Sequence, residues 1–245
     1  VNYLELCQKL CLEADISGGA GAISTTSGQS GELARIVHWI TESYKEIQNR
    51  HPSGWRWLKR EFQVVTQAST KAYAYDDAAV TDITAGGSSP IDRFYSWHIA
   101  DREDPPTIYL QSAGENTENW IISTSWENYR QVYEISQQND SYPAHITADP
   151  QDRLILGPAP NDVYVVKGQY FRGPQILGST GDPDAEIPEM PEPYHMLIVY
   201  TALEKYGWFE AANEVILRAQ RENRKLMRQL EKNQMTRLRF RGPMV

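Results

Sequence analysis

Apolar residues in this chain keep two different rhythms, and the change from one to the other limits what it can fold into. Near the N-terminal end, Leu6, Cys7, Leu10 and Cys11 of NYLELCQKLCLEA recur at helical spacing behind Asn2, a residue type suited to capping. A loop rich in Gly, Ser and Thr follows, ISGGAGAISTTSGQSG. A second helix is expected from near Ser30, with Glu32 in its first turn and Leu33, Ile36, Val37, Ile40, Tyr44 and Ile47 along one face. It ends by His51-Pro52, because the residue before a proline is pushed out of the helical region.

Over residues 55–176 the rhythm shortens. FQVVTQ, KAYAY, FYSWHI, TIYLQ, ENWIIS, RLILG and VYVVKGQYFRG are brief, β-branched or aromatic, and separated by Gly, Pro, Asp or Asn clusters. RLILGPAPNDVYVVKGQYFRG reads as two strands joined by a Pro-Asn-Asp turn. One helical interruption is expected at SWENYRQVYEIS. The acidic, proline-rich GSTGDPDAEIPEMPEP then reads as a connector without regular structure. Two helices close the pattern, over residues 194–206 and 209–232, broken or bent near Gly207. The expected fold is α+β, with terminal helices forming a bundle around an inserted, mostly antiparallel β domain. Its parts are N-terminal helices at 1–54, the β-rich domain at 55–180, C-terminal helices at 181–233 and a basic arm at 234–245.

Charge is spread unevenly. The net value is −8, yet residues 218–241 hold nine basic side chains against Glu222 and Glu231. An acidic body repels duplex DNA at long range, while a basic segment suits an acidic partner or phosphate. Cys7 and Cys11 share one helix face, where thiols act as small buried hydrophobes, and they suit a reducing compartment. No basic leader followed by an apolar run appears, nor a stretch near the ~20 apolar residues that span a bilayer, so an intracellular, soluble protein is expected.

Catalytic patterns are weak. The loop at 17–31 follows a helix and has no lysine, unlike a phosphate-binding P-loop, and Gly28-Gln29-Ser30-Gly31 lacks nucleophile-elbow spacing. His38, His51, His98, His145 and His195 are dispersed and form no metal-ligand spacing. Glu103 with Asp104, or Asp182 with Asp184, has the makings of a glycosidase pair, but both sit in Pro-rich loops where carboxylates normally face water. His195, beside Tyr194, falls in the first turn of a helix and reads as packed. Neither an enzyme activity nor a cofactor or metal is expected.

Seven tryptophans and fourteen tyrosines include Trp55, Trp57, Tyr73, Tyr75, Tyr95, Trp97, Trp120 and Trp126 in or near the β tracts. An exposed row of rings stacks on sugars or bases; half-buried strands favour aromatics anyway, so core and interface packing is preferred. In the last helix Val215, Ile216, Ala219, Leu226, Met227 and Leu230 form an apolar side, and Arg218, Arg221, Arg224, Lys225 and Arg228 form a basic face. Beyond it, Arg237, Arg239 and Arg241 alternate with Leu238 and Phe240, which in an extended strand separates cations from apolar groups for docking on an acidic partner.

YLELCQKL, the helix GELARIVHWITESYKEIQNRH followed by WRWLKREF, and above all MPEPYHMLIVYTALEKYGWFEAANEV resemble head-to-tail adaptor proteins of tailed bacteriophages, the head-completion or tail-tubular class. The likeness covers both terminal helical regions, roughly half the chain, and rests on helix-packing patterns; the β insertion matches in general character only. It implies a virion protein of the neck, present in the host cytoplasm during assembly. Its copies would form a ring, twelve-fold in the family, between the portal ring and a downstream tail or nozzle protein. Double-stranded DNA would pass through the lumen without sequence-specific binding, and no membrane would be involved. C-terminal segments of the family grip the portal, which makes Arg237, Leu238, Arg239, Phe240 and Arg241 the portal-interface candidates. Two other readings stay open: a glycan-binding or glycan-hydrolysing tail component using the aromatic β region, and a direct nucleic-acid binder using the Arg-rich helix.

Overall fold

The computed structural model describes residues 1–51, 54–101, 103–135, 139–179 and 181–235. They divide into two compact units, one made of Val1–Leu58 with the residues from Pro174 onward, the other of Lys59–Gly173.

Four helices build the first unit: α1 (Tyr3–Glu13), α2 (Gly31–Asn49), α4 (Met196–Phe209) and α5 (Asn213–Gln234). The start of α1 is fixed by a capping box, in which Asn2 Oδ1 accepts from Glu5 N at 2.8 Å and Glu5 Oε2 accepts from Asn2 N at 3.2 Å. α4 is apolar on nearly every side, and it packs against α1, α2 and α5. Leu197, Ile198, Val199, Ala202 and Leu203 are all fully buried. The thiols of Cys7 and Cys11 are buried too, and burial raises both above the usual thiol value, Cys7 strongly.

Gly207 is not the break expected there. α4 runs through it to Phe209, and the chain turns at Glu210–Ala212, with Ala211 at φ +53°. A Cβ on Gly207 would meet Ile216 Cγ1 at 2.8 Å and Ile216 N at 3.2 Å, so the glycine lets α5 lie directly on α4.

The acidic connector is likewise more ordered than expected, with short 3-10 turns at Pro183–Ala185 and Glu192–Tyr194. Two of its carboxylates accept hydrogen bonds from the protein. Asp184 accepts from Thr26 N at 2.6 Å and from Thr26 Oγ1 at 2.5 Å. Glu186 accepts from Gly178 N at 2.8 Å and from Gln175 Nε2 at 3.3 Å. Gln48 completes the fastening, donating to Gln175 O at 2.9 Å and accepting from Gln175 N at 2.8 Å.

The second unit holds two sheets. One contains β1 (Lys59–Val65), β3 (Val80–Asp82), β4 (Ser89–Pro90), β5 (Phe94–His98), β6 (Thr107–Leu110), β7 (Asn119–Trp120) and β11 (Tyr164–Arg172). The other contains β2 (Ala72–Tyr73), β8 (Ile122–Ser123), β9 (His145–Ala148) and β10 (Leu154–Gly157). All pairings of these strands are antiparallel except β8 with β9. β11 is the spine. One edge pairs with β1 from Lys59↔Phe171 to Val65↔Val165, and the other pairs first with β6 and then with β5.

Phe62, Val64, Val80, Ile108, Val166 and Tyr170 from the first sheet share one buried cluster with Tyr73, Ile146, Leu154 and Leu156 from the second. Each such side chain contributes about 1.5–3 kcal/mol on burial. β10 and β11 are the two strands expected around the Pro-Asn-Asp turn, but they form no hairpin: they enter different sheets, so the turn passes the chain from one layer to the other. The helical interruption is a single turn, α3 (Trp126–Tyr129), widening into a π-helical turn at Arg130–Glu134.

Candidate partner-docking surfaces

α5 is strongly two-sided. Ile216, Ala219, Met227 and Leu230 are buried toward the unit's interior. Polar contacts set its rotation: Asn223 Nδ2 donates to Thr201 Oγ1 at 3.1 Å, Gln220 Nε2 donates to Glu204 Oε1 at 2.9 Å, and Glu231 lies 3.3 Å from His51 Nε2. The opposite side is fixed by the same helical geometry. Leu217, Arg221, Arg224 and Arg228 follow at steps of four, three and four residues, and all are exposed. At 1.5 Å per residue they form one stripe about 16 Å long.

The five residues of the expected basic face do different work. Arg218 binds the Glu13 carboxylate and donates to Glu13 O at 3.1 Å, tying α5 to the end of α1. Lys225 lies 3.8 Å from Glu222, and Arg224 Nε donates to Gln220 O at 3.3 Å. Arg221 and Arg228 have no ion-pair partner among the described residues. Arg221, Arg224, Lys225 and Arg228 border an open groove of about 420 Å3. Four neighbouring cations with so little internal neutralisation form a surface for anionic groups. The portal-interface candidates Arg237, Leu238, Arg239, Phe240 and Arg241 lie outside the described residues.

His195 is packed. It is 2% exposed, its Nε2 donates to Met190 O at 2.7 Å, and burial holds its pKa below the usual imidazole value. Among the carboxylates considered for chemistry, Asp104 accepts from Gln169 Nε2 and Asp184 holds Thr26, so each serves a structural contact. Among the described residues, no three His, Cys, Asp or Glu side chains are arranged to hold a metal ion. No helix of the described residues is long and apolar enough to cross a membrane.

The aromatics divide. Trp55 is completely buried, stacks on Trp57 with centroids 4.7 Å apart and donates to Ile47 O at 2.8 Å. Trp97 packs on Phe62 and Phe94 and donates to Asp152 O at 2.6 Å. Trp120 lies outside the core, being 78% exposed on β7, with Ile122 on β8 60% exposed. In the sequence ENWIIS neither residue stands out, because three apolar residues in a row show no alternation that would assign one to solvent.

A comparison with curated proteins returns no match. The profile of the SU10 adaptor protein family matches residues 1–245, the whole chain. With a helical unit drawn from both ends of the chain and a β unit between them, the chain belongs to the SU10 adaptor protein family, a family of phage head-to-tail adaptors.

Proposed function

We propose that copies of this structural phage protein assemble into a ring between the portal and the tail, prolonging the channel through which DNA passes. The observation that carries the reading is family membership over the full length of the chain. The charge pattern supports it. Residues 59–173 hold sixteen acidic side chains against nine basic ones, so a lumen lined by this unit repels phosphates and lets DNA slide. α5 ends at Gln234, where the basic arm 234–245 begins; in this reading that segment grips the portal, through Arg237, Leu238, Arg239, Phe240 and Arg241. The role is assembly without catalysis, at the neck of the virion, with the tail or nozzle protein on the remaining face.

Negative-stain imaging of the protein alone and mixed with its portal ring tests the proposal. Rings on the portal, lost when residues 234–245 are deleted, are the expected result. A chain that stays monomeric beside an intact portal overturns it.

A further inference from the structure

We infer that the α5 stripe of one copy docks on the β7–β8 edge of a second copy, making this the contact that propagates the ring. The inference rests on the ring reading above and specifies its interface.

The stripe has a property that a merely solvated helix face lacks. Leu217, at its N-terminal end, is 66% exposed and continues directly into Arg221, Arg224 and Arg228, of which the first and last have no carboxylate partner among the described residues. Apolar surface beside unneutralised guanidinium groups matches a partner that offers acids around an aromatic ring, because arginine both pairs with carboxylates and stacks on indole.

Such a surface exists on the β unit. β7 ends the seven-stranded sheet and β8 ends the four-stranded one, and buried Ile121 joins them. One short segment therefore supplies an open edge to both sheets. It leaves Trp120 and Ile122 78% and 60% exposed, and the exposed carboxylates of Glu118 and Glu127 flank them in the sequence, whereas Glu115 is already paired with Lys167 at 2.7 Å. An open edge carrying large apolar groups is a liability in a lone chain, and natural proteins cover such edges. The complement in charge and chemistry is the stripe, which every other copy carries. Because the two surfaces differ, the contact is heterologous and repeats from copy to copy until the rotation closes a ring.

The test is reciprocal charge reversal in the full-length chain, read as ring yield by analytical ultracentrifugation and negative stain, with and without the portal. The α5 variant R221E/R224E/R228E and the β-edge variant E118K/E127K should each lose about tenfold or more in assembly, since like charges would then face each other. The fivefold variant carrying both sets should recover it. Trp120→Ala, which leaves charge untouched, should weaken assembly about tenfold as a central aromatic anchor does. Thermal melting confirms that each variant is folded. Rings that still form in both charge-reversed variants, or reversals that the fivefold variant fails to rescue, overturn this contact while leaving the ring reading standing. If the α5 variant assembles normally but loses binding to duplex DNA, the stripe is a nucleic-acid surface and the inference is overturned. Failure of the wild type to assemble even with the portal overturns the ring reading and this contact with it.

Discussion

The helical unit and the β unit keep their folds by different means. The helical unit is assembled from two stretches of chain far apart in sequence, and its loops are fastened by single side chains reaching across that distance: Gln48 to Gln175 over 127 residues and Thr26 to Asp184 over 158. The β unit is one continuous segment, closed by backbone ladders in which every register position of β1 against β11 contributes. Loss of one side chain should open a joint in the first and only loosen packing in the second.

The largest test of this difference truncates each core. Trp55→Ala in the helical unit and Phe62→Ala in the β unit should each cost about 3–5 kcal/mol, since both side chains are fully buried. Hydrogen exchange read by mass spectrometry should show protection lost only in the unit that carries the substitution. Equal loss in both units would end the comparison.

Glycines sharpen it. A Cβ on Gly207 meets Ile216 N at 3.2 Å as well as Ile216 Cγ1 at 2.8 Å, whereas one on Gly168 meets ring atoms of Phe62 at 2.8 and 2.9 Å. Overpacking costs about 1–3 kcal/mol. Gly207→Ala should fall at the upper end, because helix backbone cannot step aside as a side chain can, and Gly168→Ala should fall lower. Urea midpoints of the two variants decide the order.

Gln48→Ala tests a joint directly. It strands the N–H and C=O of Gln175, which Gln48 satisfies from a site only 3% exposed. Leaving such groups unpaired costs about 1–3 kcal/mol. Early exchange at residues 174–179, with the strands of the β unit unaffected, is the expected signature.

These joints also mark where the sequence stops being legible. The faces of α1, α2 and α5 follow from local spacing, because a helix brings residues three and four apart together and needs no distant partner to be recognised. Gly207 reads as a helix breaker by propensity, and only the approach of Ile216 shows that it is a packing site. Asp184 and Glu186 read as solvated acids in a proline-rich stretch until Thr26 and Gly178 are seen to donate to them. The strands could be marked by composition, but their assignment to sheets could not: ENWIIS divides between two sheets at Ile121, and RLILGPAPNDVYVVKG crosses from one to the other. Of the two proposed docking surfaces, the α5 stripe is written in the helix period, whereas the exposure of Trp120 is set by the sheet edge that it occupies.

Acid should separate the units by a smaller amount. Hydrogen bonds from the Thr26 hydroxyl and backbone N–H hold the Asp184 carboxyl below its ordinary value of 3.8. In the β unit burial works to raise Asp149, but backbone and side-chain hydrogen bonds from Arg153, with Gln151 N, outweigh it and depress that carboxyl as well. A depressed carboxyl gives its full stability above the ordinary value and loses it as pH falls through the folded one. Both units should therefore weaken below about pH 4. Thr26→Val removes one donor to Asp184, costing about 1 kcal/mol near neutrality, and should reduce the acid sensitivity of the helical unit alone. Unit-resolved exchange along a pH series reads this; an equal change in the β unit would contradict it.

The smallest effect separates arginines that serve the fold from those left for a partner. Arg218 is half-exposed and its pair with Glu13 is open to solvent, so Arg218→Ala should cost about 0.2–1 kcal/mol. Arg221 and Arg228 have no such partner among the described residues, and Arg221→Ala or Arg228→Ala should leave the melting temperature unchanged. Assembly should invert that ranking: Arg218→Ala has little effect on ring yield, and the two variants that are silent in melting lower it. A single ranking shared by both measurements would mean that the stripe and the Arg218 joint do the same work, and the division of the basic face into a structural end and a docking end would fall.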